Sequence, residues 1–282
     1  MYAVTGITGK VGGAVARTLL GAGQSVRAVV RSTEKGLPWA QLGCEVALAD
    51  VDDAQAMAQA FTGVDGVFIM LPSNFDPLPG FPEARLIVEN IRQALEYAKP
   101  GKVVCLSTIG VQATQPNLLN QLQLLEQAVG TLDTPVAFLR PGWFMENALW
   151  DVAPAIEHGV IPSFLQPLDK PVPMIATADV GRVAAELLQD VWQGQRVVEL
   201  EGVQRVTPNQ IAETFARLLG KPVSMETVPR ERWQALFTAQ GMRNPLPRMQ
   251  MIDGFNEGWI EFEGTPRKGQ VVLETVLRTL LP

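Results

Sequence analysis

The chain has 282 residues, of which 47% are apolar and 18% charged, and a formal net charge of −6. That is enough apolar content to bury a core and too little charge for a disordered or polyelectrolyte chain. The acidic balance speaks against non-specific attachment to nucleic acid or acidic membranes, and no apolar run approaches the ~18 residues needed to cross a bilayer.

Met1–Thr5 reads as a buried strand and Lys10–Leu20 as a helix, with Val11, Val15 and Leu19 on one face. Between them stand Gly6, Gly9 and Gly12 in a G-x-x-G-x-x-G pattern. A strand, a glycine turn and a helix start form a dinucleotide cradle: glycine admits the tight turn, and helix-start amides with the helix dipole suit a pyrophosphate. Thr8, Lys10 and Val11 complete that turn.

Ser25–Arg31 is expected as a second strand. In doubly wound folds its tip meets the adenosine ribose, where an acid selects NAD. Here the tip carries Arg31, then Ser32, Thr33, Glu34 and Lys35. A guanidinium clamps phosphate with paired hydrogen bonds, so NADP(H) is expected, read by Arg31 with Lys35 in support.

Cys44–Asp50 is a third strand, and helical spacing runs from Ala54 to Phe61. Asp50 and Val51 follow the strand; Asp50 either approaches the adenine amino group or caps the next helix. Val64–Pro72 contains a fourth strand whose end, with Leu71 and Pro72, would line the cofactor ribose. Pro82–Ala98 is amphipathic, with Leu86, Ile87, Ile91, Ala94 and Leu95 assigned to one face. Lys102–Thr108 is a fifth strand, Leu118–Val129 a helix, and Val136–Gly142 holds a sixth strand. This alternation specifies βαβ units: an α/β, Rossmann-type doubly wound parallel sheet with helices on both faces.

The alternation loosens from Trp143. Residues 1–142 are therefore assigned to an NAD(P)-binding Rossmann domain. Residues 143–282 form a smaller α+β lobe, with some segments returning to the sheet. Thr177–Leu188 is a helix with Asp179 near its start, where a carboxylate suits the dipole. Arg196–Gly202 is a strand. Thr207 caps the helix Asn209–Leu219, with Pro208 at its first position. Pro222–Val228 is a further strand, and the tail is a short helix.

Cys44 and Cys105 are the only cysteines and read as buried free thiols. No signal peptide is visible, so a cytoplasmic location is expected. One histidine and two distant cysteines form no metal-ligand cluster, and no G-x-S-x-G nucleophile elbow occurs. His158, the lone histidine, lies near a turn.

TGITGKVGG, AVVRS, ADVDD, LSTIG and above all LRPGWFMEN resemble the NmrA-like group of atypical short-chain dehydrogenases/reductases, and the closing GTPRKGQVVLETVLRTLL resembles that group's C-terminal end. The group includes quinone oxidoreductase-like proteins, isoflavone-reductase-like enzymes and redox-sensing regulators. The resemblance implies a nicotinamide end built from Ser107, Thr108, Pro141, Gly142 and Phe144. It also implies that Trp143, Phe144 and Asn147 face a substrate cleft. Asn120 joins that cleft as a group able to bind a carbonyl.

The proton chemistry departs from the wider pattern. Standard short-chain dehydrogenases use tyrosine as acid with a lysine four residues on. Tyr2 and Tyr97 are the only tyrosines, and neither begins Y-x-x-x-K. Related reductases place a lysine four residues before the position of Glu126; here Leu122 stands there. A quinone, enal or imine takes hydride first and a proton from water afterwards, so an oxidoreductase for a small flat acceptor is the leading expectation. The alternative is a non-catalytic NADP redox sensor acting on a protein partner. A sugar-nucleotide epimerase, which needs the tyrosine acid, is disfavoured.

Overall fold

A computed structural model describes residues 1–282. The first half runs β1 (Tyr2–Val4), α1 (Lys10–Gly21), β2 (Val26–Val30), α2 (Thr33–Gln41), β3 (Glu45–Leu48), α3 (Ala54–Phe61), β4 (Gly66–Met70), α4 (Pro82–Ala98), β5 (Val103–Leu106), α5 (Asn120–Val129) and β6 (Val136–Pro141). The second half adds β7 (Trp143–Phe144), a 3₁₀ segment (Met145–Asp151), α6 (Val152–Glu157), β8 (Val160–Ser163), β9 (Met174–Ile175), α7 (Thr177–Gln189) and β10 (Gln195–Glu201). Then come α8 (Pro208–Leu219), β11 (Ser224–Thr227), α9 (Trp233–Ala239), α10 (Leu246–Glu257), β12 (Arg267–Lys268) and α11 (Leu273–Leu280).

Eight strands form one parallel sheet in the order β12-β10-β6-β5-β4-β1-β2-β3. Val4 of β1 stands beside Ala28 of β2 and Phe68 of β4. The chain winds outward from β1 to β3, then restarts at β4 on the other side of β1. That reversal leaves a crevice at the carboxyl ends of β1 and β4, where doubly wound sheets bind ligands.

Both sheet faces are covered, which explains strands apolar on every residue, such as Val103–Leu106. One face packs Val15 and Leu19 of α1 and Val180 and Ala184 of α7 into a single cluster. The other receives Phe61 of α3, Ile87 and Ile91 of α4, and Leu125 of α5. A third cluster, with Phe215, Trp233, Phe237, Phe255 and Leu277, forms the interior of the lobe. No helix is long and apolar enough to cross a membrane.

Two segments differ from the sequence reading. The stretch after Arg31 is helical: Ser32 accepts the Lys35 N–H at 3.4 Å and starts α2, despite Pro38 within it. On α4, Leu86 is 59% exposed, whereas Ala84, Ile87, Val88, Ile91, Ala94 and Leu95 are buried. At about 100° per residue Leu86 points about 100° away from Ile87 and about 140° from Ile91, off the buried stripe. Cys44 and Cys105 are free and buried, as the sequence implied.

Candidate active site

The crevice begins at the glycine turn. Gly6 sits at φ +59°, a left-handed conformation that glycine adopts without strain. A Cβ on Gly12 would stand 2.4 Å from the Gly6 carbonyl oxygen, so turn and helix meet backbone to backbone. Gly9 occupies the N-cap of α1 with no side chain to cap it, and no acid lies in the first turn. The amides of Lys10, Val11 and Gly12 precede the first intrahelical acceptor and have no backbone partner. Thr8, Gly9 and Lys10 are exposed beside them. Free amides and an uncompensated helix dipole make an anion cradle.

Beyond β2, Arg31 and Lys35 are exposed, and neither forms an ion pair or a side-chain hydrogen bond. Beyond β3 the helix cap is Asp53, whose carboxylate accepts the Ala56 N–H at 2.9 Å. The capping reading of Asp50 is thus overturned; Asp50 is half-buried with a free carboxylate. Val51 lies next to it and accepts from the Asn90 side chain at 3.1 Å. At the end of β4, Leu71 is buried and Pro72 exposed.

The ends of β5 and β6 are tied together: the Ser107 N–H donates to Leu139 and the Ile109 N–H to Pro141, both at 2.8 Å. Ser107 is 4% exposed, and its hydroxyl oxygen has no hydrogen-bond partner. An orphaned buried hydroxyl facing the end of a strand suits a polar ligand there. Thr108 is half-buried next to it. Pro141 and Gly142 are buried; the Gly142 N–H donates to Leu200, and a Cβ on Gly142 would meet the Pro173 oxygen at 2.5 Å. The glycine therefore lets the loop cross β9 closely.

After that crossing, Trp143 and Phe144 are half-buried and Asn147 is exposed. The Trp143 ring meets Phe255 of α10 edge-on at 5.2 Å. At the other end of α10, Pro247 accepts the Leu118 N–H at 2.9 Å. Just before α10, the amides of Arg243 and Asn244 donate to Asp76 of the β4–α4 loop. Those bonds hold the Asp76 carboxyl below its usual range. Helix α10 thus spans the carboxyl ends of β4, β5 and β6 and roofs the crevice. Asn120, at the start of α5, is half-buried, with its Oδ1 accepting the Asn117 N–H at 2.7 Å. Its amide nitrogen makes no hydrogen bond.

Several candidate acids lie elsewhere. Tyr2 is buried in β1, Tyr97 is 78% exposed on α4, and His158 follows α6 beside Glu157. Burial pushes the Cys105 thiol up, so it stays protonated. Glu126 holds Arg140 bidentately at 2.9 and 2.7 Å, and Arg140 also reaches Glu263 at 2.5 Å. Burial alone would lower the Arg140 pKa; the two carboxylates outweigh it and raise it. The pair anchors the end of β6, directly before Pro141. Glu146, inside LRPGWFMEN, accepts both the Thr177 N–H and hydroxyl, at 2.9 and 2.5 Å, and so caps α7 from across the chain. Asp179 is buried and accepts the amides of Gln270 and Val271 at 2.8 Å, which tethers the C-terminal segment. No local signal marks such long-range contacts. No group of His, Cys, Asp and Glu side chains is placed to hold a metal ion.

The family model described as the NmrA-like family matches residues 2–263. The chain belongs to the NmrA-like family. Among similar proteins, a (4-alkanoyl-5-oxo-2,5-dihydrofuran-3-yl)methyl phosphate reductase of Streptomyces griseus is 31% identical, over 80% of this chain and 76% of its own length. Quinone oxidoreductase 2 of Escherichia coli is 25% identical, over 88% and 85%. The solved structure of the NADPH-dependent quinone oxidoreductase QOR2 of Escherichia coli, complexed with NADPH, superposes with a TM-score of 0.82 at 23% identity, covering 99% of both chains. The fold is thereby shared over 99% of both chains.

Proposed function

We propose that this protein is an NADPH-dependent reductase that passes hydride to a small flat acceptor such as a quinone, enal or imine. The observation that carries the reading is the uncapped start of α1 under the Gly6–Gly12 turn, with unpaired Arg31 and Lys35 beyond the neighbouring strand. Gly6, Thr8, Gly9, Lys10, Val11 and Gly12 hold the pyrophosphate. Arg31 and Lys35 receive the ribose phosphate that distinguishes NADPH from NADH. Asp50 and Val51 border the adenine; Leu71 and Pro72 border the ribose.

Ser107, Thr108, Pro141, Gly142 and Phe144 enclose the nicotinamide, and the orphaned Ser107 hydroxyl finds its partner there. Bound in this cradle, NADPH supplies the hydride. Trp143 and Phe144, with Asn147 and the free amide of Asn120, align the acceptor against it. No tyrosine, histidine or cysteine stands ready as acid, so the proton that completes reduction comes from water. This restricts the chemistry to acceptors that take hydride without prior protonation. The relatives support the reading, one being a reductase and another a quinone oxidoreductase.

The test is NADPH consumption against a panel of quinones, enals and imines. Turnover with at least one class is expected. NADPH binding without turnover of any class would favour the redox-sensor reading, which calls for unequal affinities for NADP+ and NADPH.

A further inference from the structure

Arg248, in the first turn of α10, differs from the protein's other shielded arginines. Every other arginine that is not exposed, from Arg27 to Arg230, lies within 4 Å of a carboxylate. Arg248 is half-buried and has none. Its one protein hydrogen bond is a weak contact from Nη1 to the Met242 sulfur at 3.6 Å. The guanidinium lies over two rings, Phe237 at 4.6 Å and Phe75 at 5.7 Å. Its position is also electrostatically unfavourable, since a cation in the first turn meets the positive end of the helix dipole. Asp76, in the same β4–α4 loop as Phe75, is engaged by the Arg243 and Asn244 amides, and Arg248 forms no ion pair with it. Burial lowers the Arg248 pKa, with nothing opposing it.

A planar cation lying over two aromatic rings, without a counter-ion, is poised for an oxyanion. Its place on the molecule suggests which one. Phe75 belongs to the loop after β4, and the adjoining Pro247 bonds to the segment after β5. Arg248 therefore stands at the end of α10 opposite to Phe255 and Trp143, along the same roofed crevice. We propose that Arg248 is a specificity residue that receives an acidic substituent (carboxylate, sulfonate or phosphate) of the flat acceptor. The proposal rests on the reductase reading for the rest of that acceptor. It assigns the substrate class as an anionic aromatic or conjugated carbonyl compound, whose flat body lies on Trp143 and Phe144.

The test compares ortho-naphthoquinone with its sulfonate in wild type, Arg248→Met and Arg248→Lys. Methionine keeps the apolar packing between Phe75 and Phe237, and lysine keeps the charge without the fork. Comparing variant with wild type for each acceptor cancels their different redox potentials. The sulfonate-to-neutral ratio of kcat/KM is expected to fall about 10- to 100-fold in Arg248→Met, with Arg248→Lys between the two. Calorimetry of naphthalene sulfonate on the NADP+-loaded protein is expected to show the same loss of affinity, whether or not either quinone turns over. Equal losses for both acceptors, or an unchanged ratio and unchanged sulfonate affinity, would overturn the proposal. Sulfonate binding through Arg248 without turnover of either quinone would leave the anion site standing and count against the reductase reading.

Discussion

No carboxylate neutralises the exposed Arg31, and on the proposed reading it receives the phosphate that distinguishes NADPH from NADH. Arg31→Ala is expected to lower the NADPH-over-NADH preference in kcat/KM by about 10- to 100-fold, the worth of a charge-assisted phosphate contact. Steady-state kinetics with both cofactors checks this; an unchanged preference would remove Arg31 from the phosphate site. Asp151 makes a different point at the same scale. It ends the 3₁₀ segment without a hydrogen-bond partner, and burial pushes its carboxyl up to about 7. An unfolded aspartate titrates near ~3.9, so between that value and about 7 the folded chain holds a proton that the unfolded chain has lost. Stability therefore falls as pH rises through this window and is level above it. Asp151→Asn is expected to match wild type near pH ~4 and to exceed it at pH ~8, by at most about 4 kcal/mol before discounting for the residue's solvent access. Urea titrations at both pH values test it; a pH-independent difference would contradict the assignment.

Elements were readable in proportion to how locally their signals were written. Thr207-Pro208 announces α8, and the structure gives it a full capping box with Gln210. Val11, Val15 and Leu19 announce the buried face of α1. Helix α2 escaped because Gly36 and Pro38 are helix breakers, yet Gly36 packs where a Cβ would stand 2.6 Å from the Val46 side chain. Helix α10 was invisible for another reason: apolar residues occupy several of its faces, since it is wedged between the lobe and the strand ends. The glycine turn is legible because backbone geometry demands glycine. Arg248 and Asp76 are not, because they act through contacts distant in sequence. The Arg140–Glu126 pair is likewise a link between elements, joining β6 to α5. With side-chain exposures of 9% and 12%, it is a buried pair. Glu126→Gln is expected to destabilise the fold by about 3 kcal/mol, leaving Arg140 with Glu263 alone. Chemical denaturation measures the loss; a change under ~1 kcal/mol would show that Glu263 suffices.

At the scale of the whole molecule, one sheet and one lobe share the work. The parallel strands bring four turns to one edge: the glycine turn, the Arg31 tip, Ser107 and the Pro141–Phe144 loop. The lobe sends α10 back across that edge, held by Asp76, Leu118 and Trp143. Hydride transfer then needs alignment rather than a protein acid. Its most direct test is a single turnover, with the preformed NADPH complex mixed rapidly with menadione. The account expects one equivalent of bound NADPH to be oxidised at a rate that saturates with menadione and slows when the transferred hydrogen is deuterium. Bound NADPH that stays reduced, or that is oxidised no faster than NADPH free in solution, would contradict it.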